Sequence, residues 1–139
     1  MIILDTNVVS ELMRPVATPA VLKWVSRHSA DELYSSTIAL AEILYGIEIL
    51  PAGKRRTELL AGAERMFGIV LAGRIFVFDD QAAHVFAQIA SAHRKIGRPI
   101  AELDAQIAAI AHVHGAALAT RNTADFEGCD VPLINPWVD

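Results

Sequence analysis

Cysteine is almost missing from this chain, with Cys129 the single one in 139 residues. An internal disulfide framework is thereby excluded, and the composition suits a reducing compartment. Long apolar runs are missing too: none approaches the ~18 residues that span a bilayer. The N-terminus lacks a basic stretch followed by an extended apolar one, so it does not read as a secretory leader. The expected location is the cytoplasm, without membrane contact. Internal repeats and low-complexity linkers are absent. So is any basic excess: 12 Lys and Arg against 16 Asp and Glu leave a net charge of −4. That balance argues against nucleic-acid affinity based on a generally basic surface. Acids gathered around a cation would lift the objection, because bound metal reverses the local charge.

What is present is apolar. Hydrophobic residues make up 53% of the chain and charged ones 20%, enough to fold and more than a small monomer needs to hide. The length fits one domain over residues 1–139. The surplus apolar residues predict a face covered by a partner.

Short apolar runs alternate with helical stretches. Met1–Leu4 reads as a buried strand ended by Asp5-Thr6-Asn7. Thr18 and Pro19 read as N-cap and first residue of a helix that buries Val21, Leu22, Trp24 and Val25. Leu33–Ser36 is a weak strand, and Ile38–Leu50 a helix stopped by Pro51 and Gly53. A helix from about Lys54 to Leu71 presents Leu59, Ala63, Met66, Phe67 and Val70. Arg74–Phe78 is a strand. Asp79 or Asp80 caps the next helix, whose core face is Val85, Phe86, Ile89, His93 and Ile96, closed by Gly97. Ala101–His114 is a helix ended by Gly115, and Ala117–Thr120 and Pro132–Asn135 are short strands. Strands separated by helices imply right-handed crossovers and a parallel sheet covered on both faces, an α/β class.

In such sheets, ligands sit beyond the carboxyl ends of the strands. Asp5 lies there, with a turn or N-cap role as its bland alternative. Thr6 and Asn7 can orient Asp5 or cap the helix themselves. Glu42 sits in a helix that reads apolar almost all round, on the stripe of Ile38, Ala41, Tyr45 and Ile49. An unpaired charge there is costly, so the choice lies between a structural salt bridge and a functional cleft. Glu48, six residues on, falls on another face. Asp104 opens an Ala- and Ile-rich helix, where the helix dipole alone would favour an acid, while Glu102 points away and reads as surface. After the Ala117–Thr120 strand, Asn122 and Asp125 join the same sheet edge. Together these residues form an oxygen-only shell suited to Mg²⁺ or Mn²⁺ rather than zinc. His112 and His114, two apart, share no helix face. Lys54-Arg55-Arg56, Arg94-Lys95 and Arg98 offer positive charge to an RNA backbone, although such clusters are more often plain solvated surface.

In combination, Ile-Ile-Leu-Asp5-Thr-Asn-Val-Val-Ser-Glu, Ala-Glu42-Ile-Leu-Tyr-Gly, Asp104 with its apolar helix, and Ala-Thr120-Arg121-Asn-Thr-Ala-Asp-Phe resemble the PIN-domain ribonucleases. More narrowly the chain is similar to the VapC toxins, including the FitB-like branch with its closing Asn135-Pro136-Trp137. The resemblance implies a three-layer α/β/α fold, Mg²⁺-dependent RNA cleavage, a homodimer, and a small VapB-like antitoxin through which alone DNA is met. It also implies that Asp5, Glu42 and Asp104 bind metal and that Thr120 is the small polar residue beside them. Asn122 departs from the pattern, since many relatives carry an acid there; either Asp125 compensates, or a second metal binds weakly or only with substrate. Two rival readings use Asp5 otherwise. A haloacid-dehalogenase-like phosphotransfer enzyme needs a second acid where Asn7 stands. A receiver-like signalling module needs paired acids after the first strand and a late lysine, and neither is evident.

Overall fold

The computed structural model describes residues 1–139. Five strands, β1 (Ile2–Leu4), β2 (Leu33–Ser36), β3 (Ile75–Phe76), β4 (Ala117–Ala119) and β5 (Leu133–Ile134), form one sheet in the order β3-β2-β1-β4-β5. Every pairing is parallel, with Ile2 opposite both Leu33 and Ala117. Six helices connect the strands: α1 (Thr6–Leu12), α2 (Pro19–Ser26), α3 (Thr37–Glu48), α4 (Lys54–Arg65), α5 (Asp80–Lys95) and α6 (Glu102–Val113).

The central strand assigns the layers. Successive side chains of a strand point to opposite faces. Ile2 and Leu4 accordingly join a core with Val8, Trp24, Ile43, Ile47 and Ala63 from α1–α4. Ile3 joins the opposite core, built with Ala82 and Ile89 of α5 and the Ala105–Ala111 stretch of α6. The result is the expected three-layer α/β/α architecture. Small residues along α6 let α5 pack close, and the run Ile107–Ala111 is wholly buried.

Polar residues at strand ends start the helices. Ser36 accepts from the Ala39 N–H at 3.1 Å, so β2 passes straight into α3. Asp79 rather than Asp80 caps α5, accepting from Ala82 at 2.9 Å. Gly97 and Gly115, at φ +74° and +61°, close α5 and α6 in the left-handed region that glycine tolerates.

Several sequence expectations are corrected. β3 is shorter than Arg74–Phe78 because its only partner, β2, ends at Ser36 opposite Phe76. The helix after Lys54 widens into a π-turn over Met66–Val70; this rotates Val70 into solvent and buries Leu71 instead. Leu22 and Ile96 are exposed, the latter lying past the end of α5. Thr18 does not cap α2 with its side chain, which bonds Glu11. Most consequential, α3 is buried only along Ala39, Ile43 and Ile47, while Tyr45 and Ile49 are 69% and 66% exposed. Glu42 therefore borders an open apolar face rather than lying inside an enclosed helix.

Candidate active site

The carboxyl edge of the sheet gathers the predicted residues. β1 extends one residue by a 2.9 Å bond from the Asp5 N–H to the Ala119 carbonyl, which fixes Asp5 against β4. Asp5 is 5% exposed. Its Oδ1 accepts from the Thr6 N–H at 2.8 Å, and its Oδ2 from the Thr120 hydroxyl at 2.7 Å and the Asn7 amide at 3.3 Å. Asp5 thus caps α1 and stands in the site at once. Asn7 also donates to Thr120 and accepts from the Arg121 N–H at 3.1 Å, so two residues of the first turn of α1 and one just past β4 lock one carboxylate.

Glu42 enters from α3, and its Oε1 accepts from the Thr6 hydroxyl at 2.9 Å. Thr6 thereby ties two acids together, Asp5 through its backbone and Glu42 through its side chain. Sequence reasoning left Thr6 as a cap or an orienter of Asp5 and missed the link to Glu42. The only signal was a hydroxyl beside the strand-end acid. Asp104 projects half-buried from the first turn of α6. Asp125 lies exposed in a 3₁₀ turn, Thr123–Phe126, anchored by the buried Phe126. Asn122 contributes only backbone groups, its N–H to the Thr120 hydroxyl at 3.1 Å and its carbonyl to the Asp125 N–H at 3.0 Å; the residue is exposed and its side chain bonds none of the acids.

Two openings flank the group. One, of about 290 Å³, is lined by Asp104 and Asp125 together with His93, Arg98 and Glu127. The other, of about 590 Å³, is lined by Thr6 and Glu42 together with Arg14, Arg55 and Glu58.

The electrostatics are those of crowded acids. Burial pushes the Asp104 carboxyl up to about 6, and repulsion from Asp5, Asp125 and Glu42 adds to it. Burial likewise raises Glu42, with the Asp5 charge adding and the Thr6 hydroxyl opposing. Burial raises Asp5 despite its Thr120, Thr6 and Asn7 hydrogen bonds. None of the four forms an ion pair with a basic side chain. No three His, Cys, Asp or Glu side chains stand close enough together to hold a metal ion by themselves. The site is an open acidic cleft with oxygen donors only, which fits a hard cation that keeps several waters.

The crowding has a measurable consequence. An acid whose pKa is raised on folding contributes stability that is present below its unfolded value, near 3.8 for Asp104, and is lost as pH rises through about 6. The metal-free chain should therefore lose stability between about pH 4 and 7. Glu11, held at about 2 by the Thr18 hydroxyl and N–H and by Arg14, acts with the opposite sign, its stability being lost as pH falls from about 4.5 through 2. Allowing for the partial exposure of Asp104, its share is about 1–2 kcal/mol. Melting of the metal-free chain at about pH 3.5 and 7.5 should show Asp104→Asn more stable than wild type at the higher pH only. An equal gap at both would refute the crowding.

Comparison with known proteins follows this geometry. The PIN domain family model matches residues 2–129. The chain is similar to the VapC ribonuclease Y4jK of Sinorhizobium fredii, 41% identical over 137 residues that span 99% of this chain and 98% of that protein. It is similar to toxin FitB of Neisseria gonorrhoeae, 40% identical over the full length of both. The solved structure of FitAB bound to an IR36 DNA fragment superposes with a TM-score of 0.89 at 39% identity, covering 99% of this chain and 96% of that one.

Proposed function

The chain belongs to the PIN-domain family, among the VapC- and FitB-like toxins, and on that premise we propose that it is a Mg²⁺-dependent endoribonuclease held in check by a small VapB-like antitoxin. The observation that carries the reading is the open cleft in which burial, with repulsion between the acids added, raises the carboxyls of Asp5, Glu42 and Asp104 without a basic counter-ion. Such a group is costly when ionised and empty, and a divalent cation relieves the cost.

Asp5, Glu42 and Asp104 would hold Mg²⁺, with Mn²⁺ as a substitute. When bound, the ion supplies an activated water and positive charge against the phosphate and the leaving oxygen. The chain's own residues prepare the place. Thr120, Asn7 and the Thr6 N–H fix both oxygens of Asp5, and the Thr6 hydroxyl fixes one oxygen of Glu42. Asp125, on the rim beside Asp104, supplies the charge that Asn122 lacks. Asn7, Thr120 and Asn122 position rather than react. In the overall step a water oxygen bonds to phosphorus, the P–O bond to the next nucleotide breaks, and the departing oxygen takes a proton.

Residues 1–139 act as a single nuclease unit in the cytoplasm. Exposed apolar residues such as Tyr45, Ile49 and Ile69 suit covered faces, one for a second copy and one for an apolar antitoxin segment. The same antitoxin would place an arginine among the acids, since a guanidinium pairs with carboxylates as the metal does and keeps its charge. DNA would be met only through that partner. Sedimentation at micromolar concentration should give a dimer, and only monomer would contradict this.

The reading is tested by incubating the purified chain and Mg²⁺ with single-stranded RNA and sequencing the new ends. Internal cuts are expected. An acyl-phosphate trapped on Asp5 would favour the phosphotransfer or receiver-like alternatives.

A further inference from the structure

The two openings beside the acids each carry arginine, and most of the chain's other basic residues stand elsewhere. Of the run Lys54-Arg55-Arg56, Lys54 pairs with Glu58 at 3.8 Å and Arg56 with Glu48 at 2.7 Å. Arg55 has no carboxylate partner, and it alone of the three lines the larger opening with Glu42 and Thr6. Arg14 lines the same opening, held from behind by Glu11 through two bonds of 3.2 and 3.0 Å. Across the acids, Arg98 lines the smaller opening with Asp104 and Asp125, while its neighbours Arg94 and Lys95 line neither. The Arg98 contact with Glu127 is 3.7 Å long and both side chains are about two-thirds exposed, so it is released at little cost. Arg121, whose N–H bonds Asn7, lies over the Trp137 ring at 5.1 Å instead.

We infer that a single RNA strand crosses the acid cluster from one opening to the other. Arg98 holds a phosphate on the Asp104–Asp125 side, and Arg55, with Arg14 in the same opening, holds one on the Glu42 side. This rests on the nuclease reading and adds the substrate's path. A polyanion must bring one phosphate up to four acids on a chain of net charge −4. Positive charge on both sides of those acids offsets the repulsion that the flanking phosphates meet there. It also confines the substrate to an unpaired strand, since both anchors and the acids must meet one backbone.

The test uses cleavage of a single-stranded oligoribonucleotide in Mg²⁺, with kcat and kcat/KM measured across KCl concentrations. R55Q and R98Q should each lower kcat/KM by about threefold to tenfold and leave kcat within about twofold. Each should flatten the slope of log kcat/KM against log salt by about 0.7, the value for one phosphate contact on a single strand. R55K and R98K keep the charge and should restore the slope, whereas R94Q should match wild type. A wild-type chain that cuts no RNA overturns the nuclease reading and this path with it. A wild type that cuts, with the original slope kept in either R55Q or R98Q, overturns the path alone. Substitutions that spare cleavage but loosen the antitoxin complex would give the openings to the protein partner, and that too overturns it.

Discussion

Asp5→Asn, Glu42→Gln and Asp104→Asn are each expected to lower RNA cleavage by roughly 10²–10³-fold or more, the size of losing several kcal/mol of metal-borne stabilisation. The three changes keep shape and remove charge, so the loss reads the charge. They differ in what they disturb. Gln at 42 still accepts the Thr6 hydroxyl, now at 2.9 Å from Oε1, and Asn at 104 breaks no hydrogen bond seen in the fold. Asn at 5 turns an amide toward Asn7, whose own amide donates to Oδ2 at 3.3 Å, so this variant also strains its supports. A fall in stability is therefore expected at Asp5 alone. Glu102→Gln, exposed and two residues before Asp104, is the control that should cut like wild type. Near-wild-type cleavage by all three variants would show that the acids are not the site.

Chelating divalent cations is expected to reduce cleavage to background, with Mg²⁺ or Mn²⁺ restoring it and Zn²⁺ failing to. The donors that zinc prefers are committed elsewhere. His93 lines the smaller opening, but its ring nitrogens lie 2.9 and 3.0 Å from the Ile89 and Glu127 carbonyls. Cys129 is buried, and burial pushes its thiol up to about 11. What faces the cleft is carboxylate oxygen, which suits hard cations. Binding should also stabilise the fold, by about 2.7 kcal/mol when the ion is present at a hundred times its dissociation constant. Thermal melts with and without Mg²⁺ read this directly, and the gain should vanish in Asp104→Asn. Full activity in excess chelator would remove the metal from the mechanism.

The parts of this protein that were legible before its structure are those decided locally. Ile2, Ile3 and Leu4 are apolar on both faces and end at an acid, which is enough to place a central parallel strand and put Asp5 at its carboxyl edge. The Asp79-Asp80 pair, Gly97 and Gly115 mark boundaries by capping chemistry alone. What could not be read depends on neighbours distant in sequence. The outward stripe of α3 is as apolar as its inward one, so composition cannot tell the Ile43 side, which meets the core, from the Tyr45 side, which meets solvent. The π-turn at Met66–Val70 changes the helical period, and a constant-period reading then misplaces Val70 and Leu71. Within the site, the Thr6 hydroxyl reaches Glu42, 36 positions away. That contact has no sequence signature, because it exists only once α1 and α3 are brought to one edge.

The most direct test of the central claim is anomalous diffraction from crystals of the chain soaked in Mn²⁺ at a concentration that supports cleavage. The account predicts a manganese peak in the cleft, with carboxylate oxygens of Asp5, Glu42 and Asp104 among its ligands, at about 2.1 Å or through an ordered water. A cleft without manganese under those conditions, or a peak held by other residues, would contradict it.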